Sequence, residues 1–269
     1  MSFSESGLVP ETGSIILPDW PAPANVHAFV TTRKGGFSSG SYSSMNLGDH
    51  VGDAREHVSA NRRAFARRIG LDSGSVFWLR QVHGIDLADL DQQAMRLQKP
   101  LVADGATTTL SSVACVVMTA DCMPVLLCDR SGSRVAAVHA GWRGMEQGVI
   151  QQALQYFEDP NEVLAYLGPT ISQRHFEVGV EVKSAFELRN PAYASAFAPS
   201  NSDTSGDSSF ATNKYMCDLY SIARILLEEH GVTKVFGGDF CTYQQEGLFY
   251  SYRRDGAQSG RMASLIYLS

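Results

Sequence analysis

Two histidines and one cysteine are the residues of this chain best suited to bind a metal or to perform nucleophilic chemistry. Cys122 follows the apolar run 113–118, and His139 follows the apolar run 135–138. His83 ends a third apolar run and precedes a glycine. Runs rich in β-branched residues are typical of buried strands. We therefore predict that strand ends bring the two imidazoles and the thiol to one edge of a sheet, where open sheets commonly bind ligands.

This trio of His83, Cys122 and His139 is a coherent ligand set for zinc. Zinc takes nitrogen and sulfur ligands in tetrahedral geometry, and a catalytic zinc typically has three protein ligands and a fourth position open to water. Water in that position ionises near neutral pH. The sequence contains no C-x-x-C pair, which argues against a structural zinc finger. Asp121 is a further catalytic candidate because, next to Cys122, it is suited to orient a ligand or a base.

Two other functions need no metal at these residues. Cys122 and His139 would form the nucleophile and base of a cysteine hydrolase, which could act on cell-wall precursors. In a pure binding module, the same side chains would be packed core residues. Replacing Cys122 with alanine separates these cases, because a binding module would then lose neither turnover nor metal.

The composition restricts the class of protein further. The chain has 269 residues, of which 44% are hydrophobic and 19% charged, as is ordinary for a soluble globular protein. A net charge of −6 without a basic stripe argues against nucleic-acid binding. The sequence has no run of roughly 20 apolar residues and no secretory signal pattern, so we expect a cytoplasmic protein without a membrane partner. Five scattered cysteines do not suggest a disulfide framework, and the oligomeric state stays open.

Hydrophobic periodicity predicts strands and helices that do not alternate strictly, which favours an α+β fold. Residues 1–14 are expected to form a disordered lead-in, and residues 15–269 one domain. The predicted strands are 14–17, 26–30, 77–83, 113–118, 124–128, 135–138, 163–167, 234–236, 247–252 and 262–268. The predicted helices are 53–71, 143–158, 176–188 and 218–230. Residues 88–99 are expected to be a helix or a loop, and residues 190–213 a long mobile loop.

Five segments carry a resemblance to a known family. In order, they are 31–36 (TTRKGG), 80–84 (RQVHG), 120–127 (ADCMPVLL), 139–144 (HAGWRG) and 250–256 (YSYRRDG). Together they resemble the laccase-domain family, long labelled multicopper polyphenol oxidases, and the likeness covers residues 16–268. Members of that family are associated with purine nucleoside phosphorylase activity, adenosine deaminase activity or peptidoglycan editing.

The resemblance implies a single domain of stacked mixed β-sheets flanked by helices. It also implies a metal site, usually zinc, at His83, Cys122 and His139. The implied activity is that of a zinc-dependent purine nucleoside phosphorylase with adenosine deaminase activity, acting on adenosine and inosine. For deamination, zinc-activated water would attack C6 of the base. Use of 5′-methylthioadenosine and a role in editing peptidoglycan precursors stay open.

Phosphorolysis also needs an anion pocket beside the ribose. Arg33, which precedes two glycines, and Arg143, at the predicted start of a helix, combine cations with free backbone N–H groups. Asn46 is a candidate to orient the ribose or the phosphate. Ordinary surface turns explain Arg33 and Asn46 equally well, and Arg253 and Arg254 could either close the pocket or occupy a hairpin turn. The expected partners are a nucleoside and phosphate.

Copper-dependent polyphenol oxidation is a further alternative, because the older label of the family suggests it. A multicopper oxidase needs several additional histidines for its trinuclear cluster. The chain has seven histidines in total, and no two of them form an H-x-H pair. Zinc is therefore favoured over copper.

Overall fold

The computed structural model describes residues 13–93, 100–200 and 213–269. Its strands are β1 (Ile15–Ile16), β2 (Val26–Thr31), β3 (Val76–Phe77), β4 (Leu87–Asp89), β5 (Gly105–Thr108), β6 (Ala114–Thr119), β7 (Met123–Asp129), β8 (Val135–Ala140), β9 (Val163–Leu167), β10 (Glu177–Gly179), β11 (Phe197–Pro199), β12 (Lys214–Cys217), β13 (Lys234–Gly237) and β14 (Met262–Leu268). Its α-helices are α1 (Arg55–Arg68), α2 (Leu90–Gln93), α3 (Trp142–Gln147), α4 (Val149–Leu154), α5 (Val180–Glu187), α6 (Leu219–Glu229) and α7 (Tyr252–Asp255). The α+β prediction is confirmed. Within these ranges, no helix combines the length and apolarity needed to cross a membrane.

The strands form three sheets. The first has the order β1-β2-β14-β6-β3, the second β13-β9-β7-β8-β5-β4, and a small third sheet β10-β12-β11. Most neighbouring strands are antiparallel. Three pairs are parallel, namely β3 with β6, β4 with β5, and β9 with β13. The chain passes from the first sheet to the second between β6 and β7, and Cys122 lies in that connection.

The two large sheets share one buried core and are covered by helices on their outer faces. Val117 and Ile266 of the first sheet pack with Leu126 and Ala137 of the second. Helix α1 covers the outer face of the first sheet, while α4 and α6 cover that of the second. Because both faces of β6, β7 and β8 are covered, these strands are continuous apolar runs rather than alternating ones. The stacked, helix-flanked sheets implied by the family resemblance are therefore present.

The segment 77–83 is not the strand that its apolar pattern predicts. Strand β3 ends at Phe77, and the chain then continues as an irregular segment to His83. The side chain of Gln81 accepts a hydrogen bond from the Met118 backbone N–H at 2.7 Å and donates to the Met118 carbonyl at 2.8 Å. An amide side chain thus occupies the edge of β6 that a longer β3 would have paired. His83 is consequently held by a loop.

Two further elements differ from the sequence prediction. The predicted helix 143–158 is divided into α3 and α4 at Gly148, whose φ of 106° interrupts a right-handed helix. The predicted strand 247–252 is absent, because the backbone N–H groups of Leu248 and Phe249 both donate to the Gln245 carbonyl, as in a turn. Strand β14 pairs with β2 and β6 rather than with that segment.

The remaining differences concern segment boundaries. The predicted helix 176–188 begins with the short strand β10 before α5, and residues 88–93 contain the end of β4 as well as α2. Part of the predicted loop 190–213 is ordered as a 3₁₀ helix and β11, while residues 201–212 lie outside the described residues. Most of the expected lead-in, residues 1–12, also lies outside them.

Candidate metal centre

The trio predicted from the sequence comes together in the structure, from three different structural settings. Cys122 lies in the turn from β6 to β7, His139 lies within β8, and His83 lies in the loop after β3. One ligand atom from each residue lies within 4.8 Å of the other two. The Cys122 Sγ atom is 3.8 Å from His83 Nε2. In the described part of the chain, this is the one group of three such residues close enough to hold a metal ion.

Backbone strain marks two residues at this centre. His83 and Asp121 are not glycines, yet their φ angles are 59° and 94°. Such left-handed conformations cost on the order of 1–3 kcal/mol each and persist only when surrounding contacts hold them. Asp104 provides such contacts for His83, and the C-terminal part of the chain provides them for Asp121.

Asp104 holds the loop that carries His83. Its side chain is completely buried and accepts hydrogen bonds from the backbone N–H groups of Val82 at 3.1 Å, His83 at 2.9 Å and Gly84 at 2.7 Å. The same carboxylate lies 2.8 Å from Nδ1 of His139. With Nδ1 occupied in this way, Nε2 of His139 is the nitrogen left to bind a metal.

Asp121 holds the turn that carries Cys122. Its carboxylate accepts hydrogen bonds from the Thr242 hydroxyl at 2.6 Å, the Ser251 hydroxyl at 3.0 Å and the Arg253 backbone N–H at 2.7 Å. These three donors come from the C-terminal part of the chain, so the carboxylate connects that part to the turn. Asp121 lines the same cavity as the trio, but its described hydrogen bonds do not reach any of the three ligand side chains.

The electrostatics of the trio favour a thiolate. Burial alone would raise the pKa of the Cys122 thiol, but the His139 and His83 imidazoles lower that pKa to about 6. Burial alone would lower the pKa of His139, but Cys122 and Asp104 raise it to about 9. Burial likewise opposes ionisation of Asp104, yet the hydrogen bond from His139 and the backbone N–H donors lower the pKa of its carboxyl group. The centre therefore stabilises a deprotonated sulfur, the form that binds metals.

The donor set fits a tetrahedral zinc ion. With ordinary zinc–sulfur and zinc–nitrogen bond lengths, a sulfur and a nitrogen on one tetrahedron lie about 3.6 Å apart. The 3.8 Å between Cys122 Sγ and His83 Nε2 is close to that value. The hydrogen bond from His139 Nδ1 to a buried carboxylate is the partner that metal-binding histidines usually have.

A cavity of about 460 Å³ opens on the trio. Apolar and aromatic side chains form much of its wall, namely Met118, Trp142, Ile171, Phe176, Leu219 and Tyr252. Its cationic side chains are Arg143, Arg253 and Arg261, and His50 also lines it. An apolar pocket with a few converging polar groups is typical of small-molecule sites.

Of the three residues predicted to bind phosphate, the structure brings only Arg143 to this cavity. Arg33 lines a separate shallow hollow, where its guanidinium donates to the carbonyls of Ser43 and Glu246 and lies 4.7 Å above the Tyr250 ring. Arg254 is also directed elsewhere, because it donates to backbone carbonyls between residues 242 and 249. Arg253 does line the cavity.

Asn46 is completely buried, and its amide is fully engaged. It donates to Asp53 Oδ2 at 2.9 Å and to the Gly48 carbonyl at 3.1 Å, and it accepts from the N–H groups of Gly48 and Arg261. It therefore has no free position for a ligand. Its effect on the cavity is indirect, through the backbone of Arg261.

Asp104 and Arg261 are two residues of this site that the sequence analysis missed. Asp104 had a detectable signal, because it is a lone carboxylate in the otherwise apolar or small-residue stretch 101–106. Arg261 had none, since it precedes an ordinary apolar strand and reaches the cavity only through the tertiary fold.

Comparison with known proteins finds related sequences and structures over nearly the whole chain. The family model described as multi-copper polyphenol oxidoreductase laccase matches residues 27–269. The chain belongs to this laccase-like family. A relative from Pseudomonas aeruginosa, named purine nucleoside phosphorylase, is 45% identical over 254 residues, covering 94% of this chain and 98% of its own. The purine nucleoside phosphorylase YfiH of Escherichia coli is 44% identical over 255 residues, with the same coverage of 94% and 98%.

Solved structures of laccase-like proteins superpose closely on this one. A crystal structure of a Neisseria meningitidis protein has a TM-score of 0.86 at 45% identity, covering 95% of this chain and 99% of that one. The Bacillus licheniformis YfiH structure has a TM-score of 0.82 at 28% identity, covering 91% and 93%. The resemblance inferred from the five sequence segments is thus confirmed.

The lowered pKa of Cys122 predicts how the metal-free protein reacts with iodoacetamide. A thiol with a pKa of about 6 is mostly thiolate above that pH, so alkylation should rise between pH 5 and 7 and then level off. The rate is measured by mass spectrometry across pH, with Cys122→Ala as the control that should not be labelled. Added zinc should suppress the reaction. A rate that still rises steeply from pH 8 to pH 9 would contradict the described electrostatics.

Proposed function

We propose that this laccase-like protein is a purine nucleoside phosphorylase with zinc at His83, Cys122 and His139. One observation carries the proposal: the metal-binding trio and three arginines line a single cavity of about 460 Å³, in a chain whose relatives bear that name. Phosphorolysis needs a site for the phosphate anion on one side of the ribose and a group that activates the nucleoside on the other side. A single cavity with both features supports this reaction.

The reaction exchanges one bond at the ribose. A phosphate oxygen bonds to C1′, and the bond from C1′ to the purine nitrogen breaks. The departing base takes the electron pair and one proton, which balances the proton that hydrogen phosphate loses when its oxygen is esterified. The products are ribose 1-phosphate and the free base. When bound at the trio, zinc supplies a Lewis acid that polarises an atom of the substrate. The residues of the chain hold the phosphate and the nucleoside in the orientation that this displacement needs.

Arg261 is the strongest candidate to bind the phosphate. Its burial lowers the pKa of its guanidinium, although Cys122 and Asp121 partly compensate. Its described side-chain hydrogen bonds go to the carbonyls of Ser259 and Gly260. In the part of the chain that the structure describes, no carboxylate forms a salt bridge with it. A partly buried cation without a salt-bridge partner favours an anionic ligand.

Arg143 and Arg253 extend the cationic wall. Arg143 lies 4.4 Å above the Trp142 ring, and Arg253 lies 5.1 Å above the Phe176 ring while donating to the Glu177 carbonyl. Stacking on aromatic rings orients a guanidinium and leaves part of its N–H edge accessible. The aromatic surfaces themselves suit the flat face of a purine.

Zinc is the metal we propose, because the site offers one set of three ligands. A multicopper oxidase needs a cluster of further histidines. Among the residues that the structure describes, no second group of ligands lies close enough to bind another metal ion. All five cysteines are free, which supports our proposal that the protein acts in a reducing compartment such as the cytoplasm.

The test is phosphate-dependent release of a purine base. Purified zinc-loaded protein is expected to convert inosine to hypoxanthine and adenosine to adenine, with ribose 1-phosphate formed in equal amount, only when phosphate is present. Separation of the products by chromatography measures both. Base release that does not depend on phosphate would indicate a hydrolase, and no base release would reject the proposed activity.

A matched pair of variants tests the phosphate site in the same assay. Arg261→Gln should raise the KM for phosphate about 10- to 100-fold, the range expected when a hydrogen bond to a charged group is lost. Arg33→Gln is the control, because Arg33 also donates to backbone carbonyls but lines the separate hollow. Equal effects of the two substitutions would reject Arg261 as a phosphate ligand.

Adenosine deaminase activity is a second proposal that the same trio supports. Three protein ligands leave a zinc ion with an open position, the arrangement that zinc deaminases use. Incubating the protein with adenosine in the absence of phosphate separates this activity, because deamination yields inosine whereas phosphorolysis yields adenine. The cysteine hydrolase alternative is separated by zinc itself, which should abolish a reaction that needs a free Cys122 thiolate.

A further inference from the structure

Asp104 contacts two of the three residues of the trio through one carboxylate group. Its Oδ1 atom is 2.8 Å from His139 Nδ1 and also accepts the His83 backbone N–H at 2.9 Å. Its Oδ2 atom accepts the N–H groups of Val82 and Gly84. In addition, the Asp104 carbonyl accepts the His139 backbone N–H at 2.7 Å. The two histidines are thus connected to each other through this one residue.

The arrangement requires a carboxylate specifically. Four N–H donors converge on a group that offers only acceptors when ionised. An asparagine would direct its own NH₂ group at one pair of these donors, which would leave buried N–H groups unsatisfied. The left-handed backbone of His83, with its φ of 59°, also needs these bonds to persist.

We propose that Asp104 is a positioning residue that holds His83 and His139 together in the geometry for binding metal. It fixes the tautomer and the ring of His139 through the side chain, and it fixes the place of His83 through the backbone of the loop. Loss of its carboxylate should therefore weaken metal binding through both histidines. The proposal concerns the metal site and holds whichever substrate the protein uses.

Metal affinity is the measurement that tests this role. Asp104→Asn should lower the affinity for Zn²⁺ about 10- to 100-fold in competition with a chromophoric chelator, the range typical when a partner of a metal ligand is removed. Bound Co²⁺ should also lose the absorption bands of a tetrahedral site with a thiolate ligand. Both readouts are independent of nucleoside turnover.

Asp129→Asn is the matched control. The Asp129 carboxylate also accepts several hydrogen bonds, from Ser131 and from the backbone of Ser133 and Arg134, but it touches no residue of the trio. The Asp129→Asn substitution should leave the Zn²⁺ affinity and the Co²⁺ spectrum unchanged. Equal losses in both variants would show a general effect on folding and would overturn the proposal.

A double-mutant comparison tests whether Asp104 acts on both histidines. In a His139→Ala background, Asp104→Asn should lower the remaining metal affinity further, because the His83 loop is released. In a His83→Ala background, it should do so because the His139 ring is released. If Asp104→Asn has no further effect in one of these backgrounds, the carboxylate acts through a single ligand and the proposal is overturned.

Hydrogen exchange of the wild-type protein gives a test that does not depend on any variant folding. The backbone N–H groups of Val82, His83 and Gly84 lie in a loop but should exchange slowly in metal-free protein, because the buried carboxylate accepts all three. Exchange at the rate of an open loop would overturn the proposal. A wild-type chain that binds neither Zn²⁺ nor Co²⁺ would overturn it as well.

Discussion

Replacing His83 with alanine is expected to lower kcat/KM for inosine phosphorolysis about 1,000-fold or more. His83 supplies one of the three ligand atoms that lie within 4.8 Å of one another, so its loss leaves two protein ligands for the metal. A Lewis-acid metal stabilises the transition state by several kcal/mol, and each 1.36 kcal/mol corresponds to a factor of about 10 in rate. The measurement is phosphate-dependent hypoxanthine release together with zinc content after dialysis.

The control for this experiment is His57→Ala. His57 lies on α1 and does not line the cavity, so its replacement should change neither zinc content nor turnover. His83 is itself exposed, and its alanine variant should fold normally, because the loop is held by backbone N–H groups that alanine retains. Full turnover in His83→Ala would reject the assignment of the active centre to the trio.

The sequence was sufficient to predict the parts of the fold that depend on local apolar pattern. Strands β6 and β8 are buried along their whole length, and β7 is buried up to Cys128, so their apolar runs identify them without any knowledge of their partners. Helix α6 was equally predictable, because Asp218 caps its first turn by accepting from the N–H groups of Tyr220 and Ser221. Cys122 and His139 follow from these strands.

His83 was predicted as part of the trio, but the means by which it is held could not be predicted. Its apolar run predicts a strand, and only tertiary contacts replace that strand with a loop. Those contacts come from Met118, whose backbone bonds to the Gln81 side chain, and from Asp104, about twenty residues away. Contacts at such separations leave no periodic signal in the sequence.

The anion site shows the same limit more clearly. Arg33 and Asn46 are of residue types that bind phosphate, yet neither is available in the cavity. The Arg33 guanidinium donates to backbone carbonyls outside the cavity. The buried Asn46 amide bonds to Asp53 and to the backbone of Arg261. Arg261 reaches the cavity because β14 lies between β2 and β6, an arrangement set by strand order. Sheet topology therefore decides which cationic side chains reach the cavity, and the local sequence composition cannot predict this.

Gly141→Ala is expected to disrupt the metal centre without changing any charge or ligand. A Cβ atom at this position would lie 2.9 Å from Cys122 Sγ and 3.4 Å from His83 Cδ2, so the sulfur would have to shift. The backbone of Gly141, with φ −70° and ψ 162°, accepts alanine without strain, so the effect should be confined to that contact. Because displacement of a reacting group by 1 Å can cost about 100-fold in rate, we expect a loss of roughly 10- to 100-fold in turnover.

The matched control for Gly141→Ala is Gly74→Ala, where a Cβ atom would meet no heavy atom within 4 Å. Both variants add one methyl group at a glycine with an ordinary negative φ, so a difference between them reports the space beside Cys122. Zinc affinity and the Co²⁺ spectrum should change in Gly141→Ala and stay unchanged in Gly74→Ala. If Gly141→Ala retains both full turnover and the wild-type Co²⁺ spectrum, the contact between residue 141 and the Cys122 sulfur does not position the thiolate, and this role of Gly141 would be rejected.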